Sequence, residues 1–231
     1  MQLPFQDRLA AGLLLANELS TRGFIKDAVV LALARGGVPV GFSVAGHLNL
    51  PLDTIVVRKL GVPSQPELAM GAIAGNVRFL DEVIIAEMGI SEAEVEQIIA
   101  AQEAEMTRCG MLYRGGNQAP DLHGRTAILV DDGLATGSTM VAAVLYARTL
   151  GPGKIVIAVP VGTKEACDRL RSEVELVCLA VPRCFGSVGA WYRNFKQVSD
   201  SEVQSLLSEN RRRMKHHPTS AICNAKLPTT G

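Results

Sequence analysis

Between Thr126 and Met140 an apolar run, Ala127 to Val130, ends in two adjacent carboxylates, Asp131 and Asp132. The chain then passes through a loop of mostly small residues, Gly133 to Thr139, into a helix-like segment. Few folds accommodate that order. It reads as a strand buried in a sheet, a tight turn and a helix N-terminus. Free backbone N–H groups at a helix start make a phosphate cradle, with Gly137 allowing close approach and Thr136, Ser138 and Thr139 adding hydroxyls. The two acids would repel a phosphate, but they accept hydrogen bonds from a diol. A phosphate with a diol beside it is a ribose 5-phosphate.

Two further segments share the strand-then-loop order. The apolar run from Val29 ends in a glycine loop, with Ala34, Arg35, Gly36 and Gly37 at its turn. A second run from Thr54 puts Arg58 and Lys59 at a strand end, and Gly61, Pro63, Pro66 and Gly71 then predict a loop rather than a helix. Taken alone, the first also fits an ordinary strand-to-helix turn with a surface arginine, and the second a solvated basic pair.

The segment from Thr126 resembles the phosphoribosyl-pyrophosphate (PRPP) motif of the type I phosphoribosyltransferases, in its strand, in Asp131-Asp132 and in Ala135-Thr136-Gly137-Ser138-Thr139. No lysine follows the glycine, so it is not a Walker loop. The turn at Ala34 to Gly37 resembles the family's pyrophosphate loop, which often holds a non-proline cis peptide. The stretch Leu60 to Met70 is placed like the mobile loop that closes over PRPP. The likeness spans roughly Phe5 to Leu207, includes the tract Ala190 to Asp200, and is closest to a bacterial group described only as predicted phosphoribosyltransferases.

That resemblance implies a doubly wound α/β fold, a mostly parallel sheet flanked by helices. It implies one domain over residues 1–213, with a small hood from about 1–25 and 182–213. It implies PRPP and a planar acceptor as partners, Mg2+ as cofactor held through PRPP oxygens and water, and a cytoplasmic homodimer. The site roles follow by the same likeness. Asp131 and Asp132 hold the ribose hydroxyls. Gly133, Ala135, Thr136, Gly137, Ser138 and Thr139 surround the 5-phosphate, and Ala34, Arg35, Gly36, Gly37, Arg58 and Lys59 receive pyrophosphate. Arg35, Lys59, Asp131 and Asp132 are the catalytic candidates.

Composition agrees with an enzyme-sized α/β domain. Of 231 residues 48% are apolar but only 4% aromatic, so the core is built from Val, Leu, Ile and Ala, which suits a parallel sheet buried on both faces. A net charge of zero gives no argument for nucleic-acid or membrane binding. The five cysteines show no CxxC spacing and read as reduced thiols, the histidines show no metal-ligand pattern, and the N-terminus lacks the order of a signal peptide.

The periodicity predicts a helix over Leu3 to Thr21 with Leu9, Leu13, Ala16 and Leu19 or Leu14 on its apolar stripe. It predicts strands at Ala28 to Leu33, Leu52 to Arg58, Ala127 to Val130, Lys154 to Pro160 and Val174 to Val181. Helices are expected at Val38 to His47, Gly137 to Leu150, Lys164 to Arg171 and Ser201 to Arg212. Gly75-Asn76 predicts a hairpin, and Ser91 with Glu94 a capping box opening a long helix to Tyr113. Beyond Arg213 the polar tail, 214–231, is expected to be disordered.

Family members acting on 6-oxopurines usually carry an acid just before the Thr-Gly; here that position is Ala135, which argues against hypoxanthine and guanine. Phe185, Trp191, Tyr192 and Phe195 cluster in a chain poor in aromatics and are candidates to stack on a base. The same cluster would also serve to pack the C-terminal helix on the sheet. Two functions stay open: a phosphoribosyltransferase for a nucleobase or similar planar nitrogen nucleophile, and a non-catalytic PRPP-binding regulatory or accessory protein. Arg35 and Lys59, suited to a leaving pyrophosphate, favour the enzyme.

Overall fold

The computed structural model describes residues 3–23 and 26–216. The chain alternates strand and helix: α1 (Arg8–Thr21), β1 (Ala28–Ala34), α2 (Gly37–Leu48), β2 (Leu52–Val62), β3 (Gln65–Ala74), β4 (Val77–Leu80), α3 (Glu82–Glu87) and α4 (Glu92–Arg114). Then come β5 (Thr126–Val130), α5 (Ser138–Thr149), β6 (Lys154–Val161), α6 (Lys164–Arg171), β7 (Glu175–Ala180) and α7 (Asp200–His216). The strands form one seven-stranded sheet in the order β4-β3-β2-β1-β5-β6-β7. Strands β2, β1, β5, β6 and β7 run parallel, and β3 and β4 add an antiparallel edge. From β1 the chain steps outwards to β2, and from β5 it steps the other way to β6. The strand order therefore reverses between β1 and β5, and the crevice beyond their carboxyl ends is where such sheets take ligands.

β1 and β5 are buried nearly end to end, as strands covered on both faces must be. Alternate side chains feed two cores. Val30, Ala32, Ile128 and Val130 pack with α1, α2 and α7, while Val29, Leu31, Ala127 and Leu129 pack with α5 and α6. The capping box at Ser91 and Glu94 is formed, and α4 runs one residue beyond its expected end. Among the described residues no helix is long and apolar enough to cross a membrane.

Three expectations are corrected. First, α1 begins at Arg8, capped by Asp7, and its buried face is Arg8, Ala11, Gly12, Leu15, Ala16 and Leu19. Leu9, Leu13 and Leu14 are exposed. Close approach to α2 decides the face: a Cβ on Gly12 would stand 2.5 Å from the Val40 carbonyl oxygen. Small residues, not the largest apolar ones, therefore line the contact.

Second, Leu60 to Met70 is not a loop. β2 runs on to Val62, turns, and returns as β3. Leu60, Val62, Met70 and Ile73 bury against Val95 and Ile99 of α4, which secures a hairpin that glycine and proline content had argued against. Gly61 marks a register shift, where a Cβ would meet the Pro66 carbonyl oxygen at 2.6 Å. Third, the short α3 was not foreseen, and α7 continues to His216, so residues 214–216 are helical; the rest of the expected tail, 217–231, lies outside the described residues.

Candidate active site

Two helices start in the crevice, and they differ from the others at their first turns. The N-termini of α1, α3, α4, α6 and α7 are capped by the side chains of Asp7, Asp81, Ser91, Thr163 and Ser199 respectively. α2 and α5 instead have glycine N-caps, Gly36 and Gly137, with no side-chain cap bond and no acid in the first turn. Val38 N–H of α2 donates to the Arg35 carbonyl at 3.1 Å and Ser138 N–H of α5 reaches Thr136 Oγ1 at 3.4 Å, but no side-chain cap closes either start, and the helix dipole favours an anion there.

The loop from β5 to α5 turns its carbonyls inward. Leu134 O accepts from Thr163 N (2.9 Å), Ala135 O from Thr163 Oγ1 (2.8 Å) and Thr136 O from Arg169 (2.8 Å). Gly137 sits at φ +78°, a conformation that glycine reaches without strain, and Thr136 Oγ1 lies 3.2 Å from Ser138 Oγ. With the carbonyls engaged behind it, the loop can present N–H and hydroxyl groups outwards.

The glycine turn after β1 is packed directly on the acids. A Cβ on Gly36 would stand 2.3 Å from Asp132 Oδ2, and one on Gly37 would stand 2.5 Å from the Val130 carbonyl oxygen and 2.9 Å from Asp131 Cα. The Ala34–Arg35 peptide is cis. Arg35, Gly36, Asp131 and Asp132 thus line one open cavity of about 410 Å3, together with Arg8, Phe195, Gln197 and Val198.

Burial and mutual repulsion push the Asp131 carboxyl well above the usual carboxylate range. Asp132 is also raised by burial, but Arg8 opposes the shift. Arg8 Nε and Nη2 both reach Asp132 Oδ2 at 2.8 Å, and Nη1 donates to the Lys196 carbonyl at 2.7 Å. Sequence reasoning missed Arg8. The available signal was its place at the first position of an apolar helix, where the dipole disfavours a cation.

Other expected site residues fall elsewhere. Arg58 and Lys59 leave opposite faces of β2. Arg58 donates to Gln102 of α4 (2.9 Å), and Lys59 to the Glu67 carbonyl (3.0 Å), so they do not act as one basic pair here. Arg35 is 3.5 Å from Asp200, which also accepts from Tyr113 (2.6 Å) and Arg108 (3.2 Å). Tyr192 is buried between Phe5 and Phe195, with ring centroids 5.5 and 5.1 Å away, and its hydroxyl donates to the Asp132 carbonyl at 2.6 Å. Trp191 donates to the Phe185 carbonyl at 2.8 Å. These aromatics join Phe5 and Ala11 to the end of β6, rather than seating α7 on the sheet. Tyr192 therefore supports the acids from behind and offers no free face.

The switch point, its two open helix starts and the carboxylate pair define an α/β protein of the type I phosphoribosyltransferase class. A model of the phosphoribosyl transferase domain matches residues 8–182, and the chain belongs to that family. It is 45% identical over 210 residues to two curated proteins from Mycobacterium tuberculosis strains CDC 1551 and H37Rv, each named "Putative phosphoribosyl transferase". The match covers 90% of this chain and 47% of theirs, so the chain spans about half the length of those relatives. The crystal structure of TT1426 from Thermus thermophilus is similar with a TM-score of 0.75 at 39% identity, over 89% of this chain and 98% of that one.

Proposed function

We propose that this protein transfers ribose 5-phosphate from PRPP to a planar nitrogen nucleophile, such as a nucleobase, and releases pyrophosphate. The observation that carries the reading is that two helix starts without side-chain caps follow the carboxyl ends of the adjacent strands β1 and β5, with the α2 start packed on the carboxylate pair that ends β5. One start suits the 5-phosphate and the other the pyrophosphate, and the acids between them suit the ribose diol. In this reading Ala135 to Thr139, with Gly133 behind them, take the 5-phosphate, and Ala34 to Gly37 take the pyrophosphate. Residues 3–23 and 182–213 form the hood over the acceptor.

Transfer displaces pyrophosphate from the anomeric carbon as the nitrogen lone pair forms the new bond. The charge of the acid pair favours the cationic character that develops on the ribose, and Arg35 with the α2 amides receives the leaving group. Magnesium, a hard cation that keeps water, neutralises pyrophosphate when bound.

Lys59 tests the catalytic part. It is exposed and held by Glu67 alone among the described residues, free to swing to a leaving group. Lys59→Ala is expected to lower the rate of pyrophosphate release by about tenfold or more while leaving ribose 5-phosphate affinity within about twofold, the mark of a contact that strengthens in the transition state. Steady-state release and calorimetric binding measure the two. Equal losses in both would remove Lys59 from the leaving-group role.

A further inference from the structure

We propose that Arg8 is a positioning residue for the carboxylate pair: it grips Oδ2 of Asp132 with two N–H groups and leaves Oδ1 to the ribose diol. The inference rests on the ribose reading of that pair. Both N–H groups end on the same oxygen, and the space where Gly36 would carry a Cβ abuts that oxygen too. Oδ2 is thus wedged between α1 and the glycine turn. Arg8 is itself clamped, by the Lys196 carbonyl and by the Phe195 ring, whose centroid lies 3.8 Å from the guanidinium carbon. The Asp132 backbone is fixed separately by Tyr192. Side-chain exposures of 11% for Arg8 and 14% for Asp132 keep water from screening the pair.

The groups facing Asp132 are Arg8 from α1, Asp131 from its own loop, the Tyr192 hydroxyl, and Arg35 across the cavity. Arg8 alone among these is within ion-pair distance. By direct contact it opposes the effect of burial at Asp132 more than at Asp131, with which it forms no ion pair, so that Asp131 takes the proton first as pH falls. One acid of the pair thereby stays an acceptor for the diol. Phe5 packs on Tyr192, and Phe195 packs on both Tyr192 and Arg8, the two residues that hold Asp132.

The test is PRPP affinity, with magnesium, as a function of pH in the full chain and in Arg8→Gln and Arg8→Lys. In Arg8→Gln the pH at which affinity is half lost should move up by about 1 unit or more, and Arg8→Lys should stay near wild type. Superimposable profiles for Arg8→Gln and wild type would overturn the proposal, whatever the change in absolute affinity. A second measurement needs no variant: carboxyl 13C NMR of the wild type should show Asp132 charged to lower pH than Asp131, and the reverse order would also overturn it. A wild type that binds no PRPP at any pH defeats the ribose reading and this one with it. Binding with an unshifted variant profile removes only Arg8.

Discussion

Asp131→Asn is expected to weaken PRPP binding by about 1.5–3 kcal/mol, roughly ten- to a hundredfold, while raising Tm at neutral pH. The two effects share one cause. Burial makes the Asp131 charge costly, and the adjacent Asp132 adds to the cost. A carboxyl whose folded pKa lies above its unfolded value binds its proton more tightly when folded. Its charge therefore costs stability, which is lost as pH rises from the unfolded to the folded pKa, and the cost is fully relieved only below the unfolded value. The amide removes the cost and, with it, the charge that a diol would bond. Asp132→Asn should weaken binding by a similar amount but raise Tm less, because the Arg8 ion pair already offsets part of the burial cost of that charge. By the same linkage, wild-type affinity for PRPP should fall as pH drops through the raised titration of the pair. Calorimetric titration and thermal unfolding across pH check all three; equal Tm changes in the two variants would contradict the assignment of charge.

Gly37→Ala should destabilise the fold by about 1–3 kcal/mol and remove PRPP binding with it. The added Cβ meets backbone, the Val130 carbonyl oxygen and Asp131 Cα, and neither can swing away. The glycine turn would have to lift off the acids, separating the two halves of the site. Gly110→Ala is the control: it lies within α4 with nothing within 4 Å of the new Cβ, and should stabilise by about 0.5–1 kcal/mol. Denaturant unfolding of both variants distinguishes them. A neutral Gly37→Ala would mean that the turn is not pinned against β5.

The parts legible in the sequence were those written in contiguous residues. The strand, acids and glycine loop at Thr126 to Thr139, the capping box at Ser91 and the alternation of strands and helices all depend on neighbours along the chain. Those missed depend on tertiary contact. The run Leu60 to Met70 carries glycine and proline that favour a loop, yet its apolar residues find α4 and the hairpin forms. Leu9 and Leu13 had the right period for a core stripe, but Gly12 set the helix against α2 and turned them outwards. Arg8 is 124 positions from Asp132, and no local pattern joins them. The aromatic cluster was found, but its use was not: Tyr192 is spent on holding the acids.

The central claim is that this site turns PRPP over. Wild-type protein should be incubated with PRPP and magnesium against a panel of purines, pyrimidines and pyridine carboxylates, and pyrophosphate release followed. Acceptor-dependent release with at least one member is the predicted result. Saturable PRPP binding without release from any of them would contradict the transferase and leave a protein that binds PRPP without reacting it.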